Sequence, residues 1–130
     1  MDLFTQAGIA SWQQRLNGSE RFAESAKSWA GRLLLIEKGD TGDDRRTWVV
    51  VGDGRCLEAR PGQPSDEATA DFVLAANEST WSDLVAARTT PASAAMLGRL
   101  HLLKGSVMAL IPHAKAAAEL LAAAAGNGDT

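Results

Sequence analysis

Apolar residues at helical spacing give way at Gly31 to short, dense apolar runs, and this change of period sets the class of fold. Before it, Ile9, Trp12 and Leu16 recur on one helical face, which Leu3 and Ala7 extend toward the start. Asn17-Gly18 stops that helix. Asn17 or Ser19 caps a second one, with Glu20 favourably placed in its first turn and Phe22, Ala26 and Trp29-Ala30 as its apolar stripe. After Gly31 come Leu33-Leu34-Leu35-Ile36 and the β-branched, aromatic Thr47-Trp48-Val49-Val50-Val51, both strand-like. The polar, glycine-bearing loop 38–44 suits a connection between antiparallel strands. Gly52-Asp53-Gly54 is a tight-turn signal, because Asp-Gly accepts the positive φ angles a hairpin needs. A third strand over 55–59 completes a meander, and Pro61-Gly62-Gln63-Pro64 breaks it.

The second half alternates less regularly. Residues 71–76 read as a fourth strand and 78–88 as a helix carrying Trp81, Leu84 and Val85 on one face. Thr90-Pro91 opens a short helix, cap then proline, which presents Ala94, Ala95, Met96 and Leu97 and ends at Gly98. In the strand predicted over 99–104, Leu100 and Leu102 share one face, with His101 and Leu103 on the other. Gly105-Ser106 opens the last helical stretch, Pro112 interrupts it, and an alanine-rich segment over 114–125 follows. No internal repeat or linker divides the 130 residues, which are read as one domain with a helical part over 1–30 and an alanine-rich helix and tail over 113–130. The order α-α-β-β-β-β-α-α-β-α predicts an α+β layer with helices on one sheet face.

Composition excludes several functions. The formal net charge is −3 and no basic block occurs, so no nucleic-acid partner is expected. The one adjacent basic pair, Arg45-Arg46, follows Asp43-Asp44 and reads as a solvated loop. The single cysteine, Cys56, excludes an internal disulfide and reads as a small core residue. No run of about 18 consecutive apolar residues occurs and the start does not resemble a secretory signal, so no stable membrane insertion and a cytoplasmic location are expected. Nothing in the sequence builds a catalytic or metal site, and no cofactor is expected. His101 and His113 lack a neighbouring cysteine or convergent carboxylate, no serine sits in a nucleophile elbow, and no lysine follows Gly52-Asp53-Gly54.

From residue 70 onward the order of features resembles the sterol carrier protein type 2 family. Ala70-Asp71-Phe72-Val73-Leu74 looks like its Ala-Asp strand, and residues 78–87 like the helix that follows. Thr90-Pro91-Ala92-Ser93-Ala94 is similar to its Asn-Pro-x-x-Ala turn, with Thr90 preserving the cap. Leu97-Gly98-Arg99-Leu100-His101-Leu102 resembles its Gly-Lys/Arg-Leu strand, and Gly105-Ser106 stands where Gly-Asp or Gly-Asn opens the last helix. Thr47-Trp48-Val49-Val50 resembles its second strand, so coverage is about residues 10–121. The stretch Leu102-Leu103-Lys104-Gly105 is one residue longer than the family spacing, which predicts a bulge or a shifted helix start.

The resemblance implies a five-stranded, largely antiparallel sheet with helices covering one face and enclosing an apolar tunnel. It implies non-catalytic carriage of a sterol, fatty acid, fatty acyl-coenzyme A or similar lipid. An apolar stripe at helical spacing builds core as readily as a binding wall; the resemblance favours the wall. The expected ligand-binding residues are Trp48 and Val50, Phe72 and Leu74, and Leu100 and Leu102 on strands. Trp81, Leu84 and Val85, Met96 and Leu97, and Val107, Met108 and Ile111 are expected to join them from helices. Pro112 should split the last helix, and the segment after it is expected to act as a movable lid whose deletion alters ligand exchange. The competing readings are an accessory subunit presenting a lipophilic intermediate to a lipid-metabolising enzyme, a small enzyme acting on a lipid thioester through His101, and a solid interaction scaffold.

Overall fold

The structure is a computed structural model that describes residues 3–125. The tail expected at 126–130 lies outside the described residues. Helices α1 (Gln6–Asn17) and α2 (Glu20–Ser25) precede strands β1 (Gly31–Lys38), β2 (Arg45–Gly52) and β3 (Arg55–Pro61). A 3-10 turn at Pro64–Ala68 leads to β4 (Phe72–Asn77), α3 (Glu78–Val85), α4 (Pro91–Met96) and β5 (His101–Lys104). Helix α5 (Val107–Leu110), a 3-10 turn at Ile111–His113 and helix α6 (Ala114–Ala122) follow, with a last 3-10 turn at Ala123–Ala125.

The strands form one sheet in the order β3-β2-β1-β4-β5. Every pair is antiparallel except β1 with β4, so the expected five-stranded, largely antiparallel α+β sheet is what the chain forms. Asp53 and Gly54 both take positive φ, 55° and 74°, which turns β2 tightly into β3. The parallel pair forces a crossover, because β3 is an edge strand while β4 lies beyond β1. Residues 62–71 therefore cross the sheet, on the face away from the helices. A Cβ on Gly62 would come within 2.8 Å of the Leu34 side chain. Arg60 lies 5.1 Å over the Trp48 ring while forking onto Asp66 at 3.0 and 3.1 Å. At the far edge, Lys104 Nζ donates to the carbonyls of Glu67 and Ala68.

Both sheet faces are thereby buried. Leu33, Leu35, Val49 and Val51 pack with Ile9, Trp12, Phe22, Trp81 and Leu120 in the main core. Leu34, Ile36, Trp48, Val73 and Ala75 form a second cluster under the crossover. The bulge expected near Leu103 is present: Leu74 pairs with Leu102 but Val73 with Lys104.

Several boundaries shift for local reasons. Helix α1 starts at Gln6 because Thr5 caps it, its Oγ1 accepting from Gly8 N–H. Helix α2 stops at Ser25, whose hydroxyl donates to the carbonyls of Arg21 and Phe22. Ala26 and Trp29 are still buried, but from outside the helix. Helix α3 ends at Val85, short of Arg88, as Ala87 takes φ 60° and Arg88 N–H donates to Asp83 O. Strand β5 loses Arg99 and Leu100 because their N–H groups both donate to Ala94 O in α4.

The side chain of Asn17 clamps α1 to β3. Its Oδ1 accepts from Cys56 N–H at 2.8 Å and its Nδ2 donates to Cys56 O at 3.1 Å. Cys56 is buried, and burial pushes its thiol up to about 11. Only roughly a thousandth of it is thiolate at pH 8. The native protein should therefore react with an aromatic disulfide reagent far more slowly than the urea-unfolded chain, as followed by absorbance; equal rates would show that Cys56 is open to solvent. Gly54→Ala should destabilise the fold by about 1–3 kcal/mol in urea denaturation. The substitution meets both the positive φ and Ala23 O, 2.7 Å from the added Cβ.

Candidate functional site

The helical face of the sheet does not meet the helices everywhere. Between them lies a cavity of about 190 Å³ whose lining residues are all apolar. Its floor is Leu33 and Leu35 of β1, Leu74 of β4, and Leu100 and Leu102 at β5. Trp81 of α3 and Trp29 of the α2–β1 connection close two sides. Ala92 and Ala95 of α4 face Val107 and Leu110 of α5, and α6 contributes Ala114, Ala117, Leu120 and Leu121. Four of these helical wall positions are alanines, whose side chains are too short to fill the space between helix and sheet. Ala92, Ala95, Val107, Ile111 and Ala114 line the cavity and are also exposed, so the mouth lies between α4 and α5.

Electrostatics around the cavity are quiet. The indole N–H of Trp81 donates to Ile36 O at 2.9 Å and that of Trp12 to Leu120 O at 2.8 Å. Trp29, 3% exposed, has a buried Nε1 with no partner among the described residues. The His113 imidazole stacks on its ring, centroids 5.6 Å apart and planes at 14°. Asp83 fixes the approach of α4: its carboxylate pairs with Arg99 at 2.7 Å and Arg88 at 2.8 Å, and these guanidiniums hold it below the usual carboxylate range. His101 is exposed on β5. Among the described residues, no three His, Cys, Asp or Glu side chains gather to hold a metal ion.

Of the residues expected at the site, Leu74, Trp81, Leu100, Leu102, Val107 and Ile111 come together on the cavity wall. Trp48 and Val50 do not, and that placement is corrected: β2 turns Val49 and Val51 to the helices, so alternation sends Trp48 and Val50 to the opposite face. Phe72 packs on the main core, against the positions of Gly31 and Gly105, without reaching the cavity. Leu84 is buried core, and Val85 borders a separate hollow beside Ala86 and Ala122. Met96, Leu97 and Met108 point outward and are exposed. Sequence reasoning missed Trp29, Leu33 and Leu35, and also the stripe Leu110, Ala114, Ala117 and Leu121. That stripe was readable as positions i, i+4, i+7 and i+11 of one helical face.

The lid expectation is also corrected. Helix α6 is a core element: Ala116, Leu120 and Leu121 are buried, Arg15 Nε donates to Ala123 O at 2.7 Å, and Arg21 pairs with Glu119. Removing residues 113–130 would strip the core rather than open a door. Pro112 sits in the 3-10 turn, so the helical run continues from Val107 to Ala125, 19 residues that by length and composition could cross a membrane. The absence of any such stretch, expected from apolar runs alone, does not hold once tolerated polar residues are included.

A model of the SCP-2 sterol transfer family matches residues 12–117. A crystal structure of sterol carrier protein 2 is 34% identical, with TM-score 0.84 over 95% of this chain and 97% of that one. A solution structure of a conserved hypothetical protein from Thermus thermophilus is 35% identical, with TM-score 0.81 over 95% and 88%. UbiJ-SCP2, a ubiquinone synthesis protein, shares the fold at 15% identity, TM-score 0.61 over 95% and 93%. No curated protein sequence matches. Fold and sequence agree in one assignment: the chain belongs to the SCP-2 sterol transfer family.

Proposed function

We propose that this protein binds and carries a hydrophobic ligand without transforming it, the ligand being a sterol, a fatty acid, an acyl thioester or a similar lipid. The observation that carries this reading is the cavity lined by apolar side chains alone and open between α4 and α5. Apolar cavities of comparable volume, about 150 Å³, stay free of water and take up small apolar molecules. Pockets that enclose a whole drug-sized ligand measure about 300–1,000 Å³. At about 190 Å³ the space holds part of a lipid. A complete acyl chain protrudes through the mouth or displaces α5, whose Val107 and Met108 already stand in solvent. Each methylene taken from water contributes about 0.8 kcal/mol, so an apolar wall suffices for affinity.

A second reading uses the same cavity to present a lipophilic intermediate to a partner enzyme; the fold's occurrence in a ubiquinone synthesis protein favours keeping it. Stable co-purification with an enzyme, and loss of ligand from the isolated chain, would select it over free carriage.

Native mass spectrometry of the purified protein, followed by organic extraction, should find a bound lipid, and a fluorescent fatty acid should bind saturably. Ala117→Phe places a ring in the cavity. It should weaken fatty-acid binding by about tenfold or more, while stability changes by less than about 1.5 kcal/mol because the ring enters existing space. No bound lipid with no saturable binding, or full-strength binding by Ala117→Phe, would defeat the carrier reading.

A further inference from the structure

The residues that line the cavity fall into two sets by exposure. Ala92, Ala95, Val107, Ile111 and Ala114 reach solvent, whereas Trp29, Leu33, Leu35, Trp81, Leu120 and Leu121 are between 0% and 4% exposed. The space is thus a pocket with a mouth and a buried end. The walls of that end are tied in place. Trp81 donates its indole N–H to Ile36 O at 2.9 Å, and Phe4 packs edge-on to its ring, centroids 5.6 Å apart, beneath Arg45. Leu33 and Leu35 belong to β1, which pairs with a strand on each side. Leu120 and Leu121 lie where Trp12 and Arg15 hold the carbonyls of Leu120 and Ala123. Helix α5 contributes only Val107 and Leu110 to the wall, so its movement widens the mouth and leaves the buried end as it is.

A fixed end gives the pocket a fixed capacity. Its volume is about 190 Å³. A cavity of about 150 Å³ takes up benzene, and a methylene fills about the space of one liquid water, roughly 30 Å³, so about six to eight carbons occupy this one. Every side chain on the wall is apolar, so a carboxylate or hydroxyl drawn inside would lose its water without gaining a partner. The hydrocarbon end of a ligand therefore enters and the polar end stays at the mouth. The fused rings of a sterol are rigid and much larger than benzene, and they stay outside as well.

We propose that this pocket selects unbranched aliphatic chains by length, taking the methyl-terminal carbons, about six to eight of them, and leaving the rest of the ligand in water. Trp81 is the specificity-determining residue, because it is the largest side chain of the buried end and is fixed on its hydrogen-bonded edge and against Phe4. The proposal rests on the carrier reading and narrows its ligand class from lipids in general to compounds that end in a straight alkyl chain.

Calorimetric titration of the full chain with straight-chain fatty acids from butanoate to hexadecanoate, each below its micelle concentration, tests it. Affinity should rise about fourfold per methylene as far as about octanoate, and by less than about twofold per methylene beyond it. Octanedioate, charged at both ends, should bind at least about tenfold more weakly than octanoate. Cholesterol should bind no more tightly than octanoate. Leu102→Ala enlarges the floor and should move the break about two carbons longer, and Trp81→Phe should move it the same way. Val50→Ala, on the other face of the sheet, should leave the break where it is. Where Trp81→Phe fails to fold for want of its bond to Ile36, Leu102→Ala, only partly buried on an edge strand, decides the matter. An unbroken rise to hexadecanoate, octanedioate equal to octanoate, cholesterol tenfold tighter than octanoate, or a break unmoved by Leu102→Ala would each overturn the proposal. In all four cases a ligand is still bound and the carrier reading stands. Binding of no chain at all defeats both.

Discussion

Strand β1 has no face left for water. Leu33 and Leu35 meet the helices, and Leu34 and Ile36 meet the crossover that joins β3 to β4. Each fully buried leucine contributes about 1.5–3 kcal/mol, so four consecutive apolar positions make this strand the axis of the molecule. The parallel pairing of β1 with β4 follows, because only a crossover can bury the second face and still return the chain beside β1. The Trp81 indole adds a specific tie, bonding to Ile36 O from the helical side. Once β1 is fixed, β2 and β4 are its neighbours and the helices have one face to occupy.

On that face the contact is uneven by construction. Near β3, α1 packs tightly and Asn17 grips the backbone of Cys56 from both directions. Toward β4 and β5, the alanines on α4 and α6 are too short to fill the gap between helices and sheet. Helix α6 tolerates this because its other side is secured: Trp12 and Arg15 bond to carbonyls at its end, and Leu120 and Leu121 enter the core. Among the described residues, helix α5 has no comparable ties and is exposed along its length apart from Leu110. The molecule thus combines a firmly packed half with a half built around a space.

Much of this was legible from residue order. The change of period at Gly31, the Asp53-Gly54 turn and the Thr90-Pro91 cap each rest on local chemistry that the structure repeats. The β5 bulge was legible as one residue too many before Gly105. The cavity wall was legible only in part. Leu100 and Leu102 were assignable because His101 marks the opposite face, whereas the all-apolar run 33–36 gives no such mark. Trp48 looked like a wall residue because it is large and aromatic, yet Thr47, bonded to Leu3 O, turns with Val49 to the helices and leaves Trp48 beneath Arg60. Met96, Leu97 and Met108 were assigned inward on hydrophobicity alone.

By itself the sequence determined the α+β class, the order of elements and the turns, since these depend on backbone preferences and on periods of two and 3.6 residues that neighbours in the chain supply. Tertiary structure alone decided which face of each strand met the helices, which oily side chains stayed outside, and whether a gap survived. Those outcomes depend on distances between elements far apart in sequence. An alanine at position 117 reads the same in a filled core as on the wall of a cavity, and only the separation of α6 from the sheet distinguishes the two.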